Sequence, residues 1–343
     1  MRLFIQIPCL DESASVASVI GNIPRYIPGV TEVKVLVVDD GSTDGTSDVA
    51  QHAGADYVQR LPYTQGLARA FSAGMERCLE LGADIIVNTD GDQQYDGGDI
   101  AALIRPILER RADIVIGDRQ TAQLQHFSFL KRVLQRLGSR TVSLLSNVRV
   151  PDATSGFRAY SRQAALRLNV FSRFTYTLET IIQASSHRMT IVSVPVRANP
   201  PIRRSRLFGS LGGYVARSVT TLARVYVLYQ PLRTFFYIGS LFIGVGAIGL
   251  ARFLVYWYLA SGAHIQSLIV SGVLLTIGFQ VWMLGLVAHL IGINRQLEEE
   301  VLYRMKRARV ERRRRRAARN KRPSPRSAGE DAKRPVSLVG LDR

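Results

Sequence analysis

The chain has 343 residues, 47% of them hydrophobic and 21% charged, with a net charge of +18 at neutral pH. Its two cysteines, Cys9 and Cys78, form neither a disulfide framework nor a metal-ligand spacing, which excludes a disulfide-stapled secreted scaffold and a cysteine-built metal centre. The charge is uneven: residues 295–343 carry 17 Lys+Arg against 7 Asp+Glu, more than half of the net charge, so the rest of the chain is only mildly basic.

Through residue 120, apolar runs and amphipathic stretches alternate in a βαβα rhythm, the pattern of an α/β domain with a mainly parallel sheet. Buried strands are predicted at 3–7, 33–38, 55–59, 84–89 and 113–117, with helices at 14–23, 66–81 and 99–110. The apolar run 3–8 is too short for a secretory signal and runs directly into Asp11 and Glu12. Helices are expected at 127–145 and 177–187 and a strand at 190–196, completing a cytoplasmic domain over 1–201 that ends at Asn199-Pro200-Pro201. Residues 202–233 form a juxtamembrane segment, with an amphipathic helix over 208–229. Two apolar stretches, 234–258 and 266–293, each reach the roughly 20 residues that a membrane span needs. Arginines flank the pair on both outer sides, and no formal charge lies in the loop between them. The positive-inside rule therefore predicts an integral membrane protein with both termini cytoplasmic. Residues 294–343 read as a basic cytoplasmic tail, disordered from Pro323 onward, meeting anionic lipids rather than nucleic acid.

In parallel α/β sheets, ligands bind beyond the carboxyl ends of the strands, and the acidic residues of this chain gather there. Asp90-Gly91-Asp92-Gln93-Gln94 follows the strand at 84–89. In extended backbone the side chains of Asp90, Asp92 and Gln94 share one direction. Two carboxylates held together call for a cation, and an all-oxygen set suits Mg²⁺ or Mn²⁺ bridging a diphosphate. Asp39 and Asp40 end the second strand and can accept hydrogen bonds from a ribose or a base edge, while Asp44 reads as a helix cap. Pro8-Cys9-Leu10-Asp11-Glu12 ends the first strand; there Glu12 either favours a helix N-terminus or lines a nucleotide pocket.

Together these segments resemble the family 2 inverting glycosyltransferases, which have the GT-A fold. Pro8–Glu12 is similar to the family's opening Pro-x-x-Asn-Glu motif, with Asp11 in place of Asn; residues 37–44 are similar to its nucleotide-binding segment. Asp90 and Asp92 match its metal-binding Asp-x-Asp, and Gln94 a further ligand in some members. The resemblance implies donor contacts at Pro8, Leu10, Glu12, Asp39, Asp40 and Asp90, with metal at Asp90, Asp92 and Gln94. Asp152-Ala153-Thr154-Ser155-Gly156-Phe157-Arg158 resembles the corresponding segment of polyprenyl-phosphate sugar transferases, such as dolichyl-phosphate mannose synthase and its bacterial relatives. That subgroup implies inverting transfer from a nucleotide-sugar to a polyprenyl phosphate at the membrane. Arg158, Arg203 and Arg206 then hold the acceptor phosphate, Asp152 is the candidate base or orienting group, and Arg119 adds charge stabilisation. Gln65-Gly66-Leu67-Ala68 departs from the family by lacking its usual Asn and Lys. Two other readings compete: transfer to a hydroxyl of a glycolipid or polysaccharide on the same fold, and an inactive membrane scaffold. A homo-oligomer is compatible with each.

Overall fold

A computed structural model describes residues 1–120, 150–170, 176–199, 230–259 and 265–320, together with Ser139, Ser143, Thr220 and Val227; of 314–320 it describes the backbone alone. The helices expected over 127–145 and 208–229, the basic residues Arg203 and Arg206, and the tail beyond 320 lie outside the described residues.

In chain order the elements are β1 (Arg2–Cys9), α1 (Val16–Gly21), β2 (Glu32–Asp39), α2 (Thr46–His52), β3 (Tyr57–Arg60), α3 (Leu67–Leu81), β4 (Ile85–Asn88), a 3₁₀ turn (Gly97–Asp99) and α4 (Ile100–Leu108). They continue with β5 (Ile114–Asp118), β6 (Arg158–Ser161), α5 (Arg162–Arg167), α6 (Thr177–Ser186), β7 (Ile191–Pro195), α7 (Pro231–Leu259) and α8 (Ile265–Asn320). Seven strands form one sheet in the order β3-β2-β1-β4-β6-β5-β7. All neighbours are parallel except β6, which runs antiparallel to both β4 and β5. This α/β, largely parallel sheet agrees with the sequence reading. The antiparallel insertion at β6 was not anticipated, because four residues led by an arginine carry no buried-strand pattern.

The two faces of the sheet follow the period of two along β1. Leu3, Ile5 and Ile7 pack against α1, α2 and α4, while Phe4 faces the layer of α3, α5 and α6. The register sets Cys9 beside Asp39 and Gln6 beside Asn88, so the ends of β1, β2 and β4 open on one edge.

Helices α7 and α8 are long and apolar enough to cross a membrane by length and composition, and little of either apolar stretch is buried (11% and 17%). They pack closely on each other at Gly239 and Gly278, where a methyl group on Gly239 would lie 2.8 Å from the Gly278 carbonyl oxygen. The Phe236 and Trp282 rings stack at 5.0 Å, and the indole donates to the Phe236 carbonyl at 3.1 Å.

The basic stretch expected as a tail is instead the continuation of α8 through Asn320. Ion pairs four residues apart line it: Arg295–Glu299, Arg304–Glu300 and Arg307–Glu311. It returns to the catalytic layer, where Val310 is buried in the core beside α3 and α5. Lys306 donates to Asn169 Oδ1 at 2.7 Å, Arg313 to Glu80 at 2.8 Å, and the Arg167 guanidinium lies 4.5 Å over the Tyr303 ring.

Candidate active site

The chain leaves β4 at Asn88 and turns through Asp90, Gly91 and Asp92. The expected convergence along an extended strand is corrected here. Gln93 has φ +60°, so the backbone reverses, and the amide of Gln94 donates to Asp92 Oδ1 at 3.2 Å. Asp90 and Asp92 are thus brought together by a turn. Burial, and after it the neighbouring Asp92 carboxylate, push the Asp90 carboxyl up to about 7, although Arg119 and Arg158 pull the other way. Gly156 lies against it: a methyl group there would sit 2.7 Å from both Asp90 oxygens and push the carboxylate aside.

Beneath this turn lies a buried amide network. Asn88 donates to the Gly156 carbonyl at 2.8 Å and to the Tyr176 hydroxyl at 2.9 Å, and accepts from Gln6 at 2.9 Å. Tyr95 stacks on Phe157, and its hydroxyl accepts from the Gly156 amide at 3.0 Å. Burial pushes that hydroxyl up to about 12, so it stays neutral. Asn88, Tyr95 and Tyr176 escaped the sequence reading, since an isolated amide or tyrosine in an apolar run reads as core.

The Arg119 guanidinium forks onto Asp152, with Nε at 2.7 Å from one carboxylate oxygen and Nη2 at 3.0 Å from the other. It also donates to Thr154 Oγ1 at 2.9 Å and to Gln94 Oε1 at 3.3 Å. Burial disfavours its charge, but the Asp152 carboxylate, through charge and hydrogen bonds, and then Asp90 outweigh that and hold it protonated. Gln94, expected as a metal ligand, thus has its oxygen within hydrogen-bond reach of this guanidinium. Asp152 is completely buried with both oxygens accepting, a position suited to orientation more than to taking a proton.

Arg158 is corrected outright. It is fully buried, and its guanidinium donates to the carbonyls of Ser155 (2.7 Å), Ala153 (2.8 Å) and Thr177 (2.8 Å) and to Thr180 Oγ1 (2.9 Å). No acceptor phosphate reaches it; it ties the 152–158 loop to α6.

On the β1–β2 side, Asp39 accepts from the Ser42 amide at 2.7 Å and from the Ser47 hydroxyl. Asp40 is buried and accepts from the amides of Gln65 and Gly66, each at 2.8 Å, so it anchors the loop before α3 rather than facing outward. Glu12 takes the Ser15 hydroxyl at 2.9 Å, and Ser15 Oγ lies 2.6 Å from the Gly91 carbonyl, joining the end of β1 to the Asp90 turn. Leu10 is exposed and Pro8 buried. Asp11 has φ +50° and receives the Thr43 amide at 2.9 Å, a left-handed position that Asp and Asn tolerate best.

Acidic turns at the carboxyl ends of β1, β2 and β4 in a mostly parallel sheet define the class as a GT-A-like transferase. The Glycosyl transferase family 2 model matches residues 5–168. An uncharacterized glycosyltransferase of Mycobacterium tuberculosis (strain H37Rv) is 30% identical over 213 residues, covering 62% of this chain and 92% of that protein. The undecaprenyl-phosphate mannosyltransferase of Micrococcus luteus is 28% identical over 231 residues, covering 64% and 93%. The chain belongs to glycosyltransferase family 2.

Among solved structures, it resembles glucosyl-3-phosphoglycerate synthase from Mycobacterium tuberculosis in complex with Mn²⁺, UDP-glucose and phosphoglyceric acid. The TM-score is 0.53 and the identity 22%, covering 66% of this chain and 79% of that one. This likeness shows the fold, and the expected polyprenyl-phosphate acceptor and membrane location are not carried further. That enzyme is solved with phosphoglyceric acid, and of the three arginines expected to hold a lipid phosphate, Arg158 is walled inside the protein while Arg203 and Arg206 lie outside the described residues. The integral membrane location expected from the two apolar helices is cut back to what they show, a length and composition sufficient to cross a membrane.

The residues present fit a divalent cation. Two carboxylates share one turn, and the mutual repulsion that raises Asp90 is what a cation relieves. Among the described residues no group of three or more His, Cys, Asp or Glu surrounds it. An ion held by Asp90 and Asp92 would leave room for water and donor diphosphate oxygens, the ligands that Mg²⁺ and Mn²⁺ favour.

Proposed function

We propose that this enzyme transfers a sugar from a UDP-sugar to a hydroxyl group of a small hydroxylated acid, with Mn²⁺ or Mg²⁺ at Asp90 and Asp92. The observation that carries this reading is the pair of carboxylates, Asp90 and Asp92, held in one turn at the end of β4. The metal, when bound, neutralises charge on the departing diphosphate. Leu10 and Glu12 lie at the carboxyl end of β1 where the nucleoside rests, while Asp39, completely buried, shapes that edge by holding Ser42 and Ser47. Arg119, locked by Asp152 and Thr154, places a fixed positive charge beside Asp90 and the reacting groups. Asp152 acts by holding Arg119. A hydroxyl acceptor, unlike a phosphate, must lose a proton as the new glycosidic bond forms and the bond to UDP breaks, and that proton passes to the departing diphosphate or to water. Residues 1–199, braced by the end of α8, make up the transferase unit.

The test is incubation of the purified full chain with labelled UDP-glucose, Mn²⁺ and a panel of small hydroxylated acids that includes phosphoglyceric acid. Label in a water-soluble glycoside, lost on adding a chelator, is the expected outcome. Failure of every hydroxyl acceptor to take label while the donor binds overturns the proposal.

A further inference from the structure

The metal-holding turn is gripped from a segment that carries no recognised motif. Gln93, between Asp92 and Gln94, is held in left-handed backbone, which is unfavourable for a residue with a Cβ. Both carbonyls that such a turn leaves unpaired are taken by one residue. Asn199 Nδ2 donates to the Gln93 carbonyl, and the Asn199 amide to the Gln94 carbonyl, each at 3.0 Å. One step before, Ala198 pairs antiparallel with Tyr95.

Arg197 fastens the same segment to the far end of the loop. Its amide and fork reach Asp99 (2.7 Å from N, 3.0 Å from Nε, 2.8 Å from Nη2), and Nη1 lies 3.0 Å from Asp96. The opposite flank is held by Gln93 Nε2 on the Ser15 carbonyl at 3.3 Å. Residues 93–99 are thereby zipped to the extension of β7. Without the Asn199 contacts, Gln93 is free to relax to negative φ, which turns Asp92 away from Asp90.

We propose that Asn199 and, behind it, Arg197 are positioning residues for the divalent-cation site: they hold Gln93 left-handed so that Asp90 and Asp92 face one point. This rests on the assignment of the cation to Asp90 and Asp92. The contacts are oriented as a supporting shell around metal ligands is. Removing such support ordinarily weakens metal binding by about 10–100-fold. Asn199 and Arg197 are exposed, so their role lies in the turn and not in the core.

The experiment is a Mn²⁺ titration of the full chain with UDP-glucose present, following the electron paramagnetic resonance signal of free Mn²⁺, together with a melting curve for each variant. N199A is expected to weaken Mn²⁺ binding roughly tenfold, and R197K to weaken it in the same direction. Glycine adopts positive φ unaided, so in a Gln93→Gly background the effect of Asn199→Ala is expected to shrink to less than about threefold, whatever either variant does to the melting temperature. If N199A binds Mn²⁺ as the unaltered chain does, or loses the same factor whether or not Gln93→Gly is also present, the positioning role is overturned. If the unaltered chain binds no Mn²⁺, it is the underlying metal assignment that fails.

Discussion

The competition between a proton and a metal ion at Asp90 is open to direct measurement. Burial and Asp92 raise that carboxyl to about 7. Its ionised fraction then climbs from about one-tenth at pH 6 to about nine-tenths at pH 8, so the apparent Mn²⁺ affinity rises about tenfold over that range. The diphosphate of UDP-glucose has no group that titrates there, so a Mn²⁺ titration with this donor present isolates the protein's proton. The sign for stability runs the other way. A carboxyl with a raised folded value stabilises the metal-free protein at low pH, and that stabilisation is lost as pH rises from about 4 to about 7. The ceiling is roughly 4 kcal/mol, reduced because Asp90 keeps partial contact with solvent. The melting temperature in chelator should therefore fall across this window, and Mn²⁺ should cancel the fall. Asp92→Asn removes the neighbouring charge. It should move the pH dependence to lower pH and weaken binding at pH 8 by roughly 10–100-fold. A flat Mn²⁺ affinity between pH 6 and 8, or an unshifted profile in Asp92→Asn, refutes the reasoning.

Other substitutions probe the surrounding shell. Arg119→Lys keeps the charge but loses the fork onto Asp152, and should lower kcat by roughly 10–100-fold with little change in donor KM; steady-state kinetics separate the two. Asp152→Asn should lower kcat while leaving the pH profile in place, because an orienting group carries no proton in the reaction; loss of the rising limb of that profile identifies a base instead. Arg158→Met strips hydrogen bonds from three buried carbonyls and should cost about 3 kcal/mol or more in urea unfolding. Val310→Ala should cost about 1.5 kcal/mol, and an unchanged melting curve means that α8 does not dock on the catalytic layer.

The strands and the acidic edge were legible because buried parallel strands are continuous apolar runs that end where ligands bind. The direction of β6 was not, since four residues do not encode a partner. Arg158 and Asp40 show why charged residues in a motif mislead. A sequence displays the charge but not the carbonyls or amides that converge on it from segments 19 or 25 residues away. Gln94 reads as a ligand, and the contact of its oxygen with Arg119, from another strand end, is invisible in the sequence. The basic run after residue 295 has the composition of a solvated tail, and its partners, Asn169 and Glu80, lie far back in the chain. Asn199 looked like a domain boundary because Pro200 and Pro201 follow it; its grip on Gln93 depends on a turn whose left-handed residue no local pattern announced.

The most direct test of the central claim is the release of UDP from UDP-glucose by the purified chain in the presence of Mn²⁺ and hydroxylated acceptors, run beside Asp92→Asn. The account predicts acceptor-dependent release that disappears in chelator and in Asp92→Asn, with the variant still folded. Undiminished release by Asp92→Asn contradicts it.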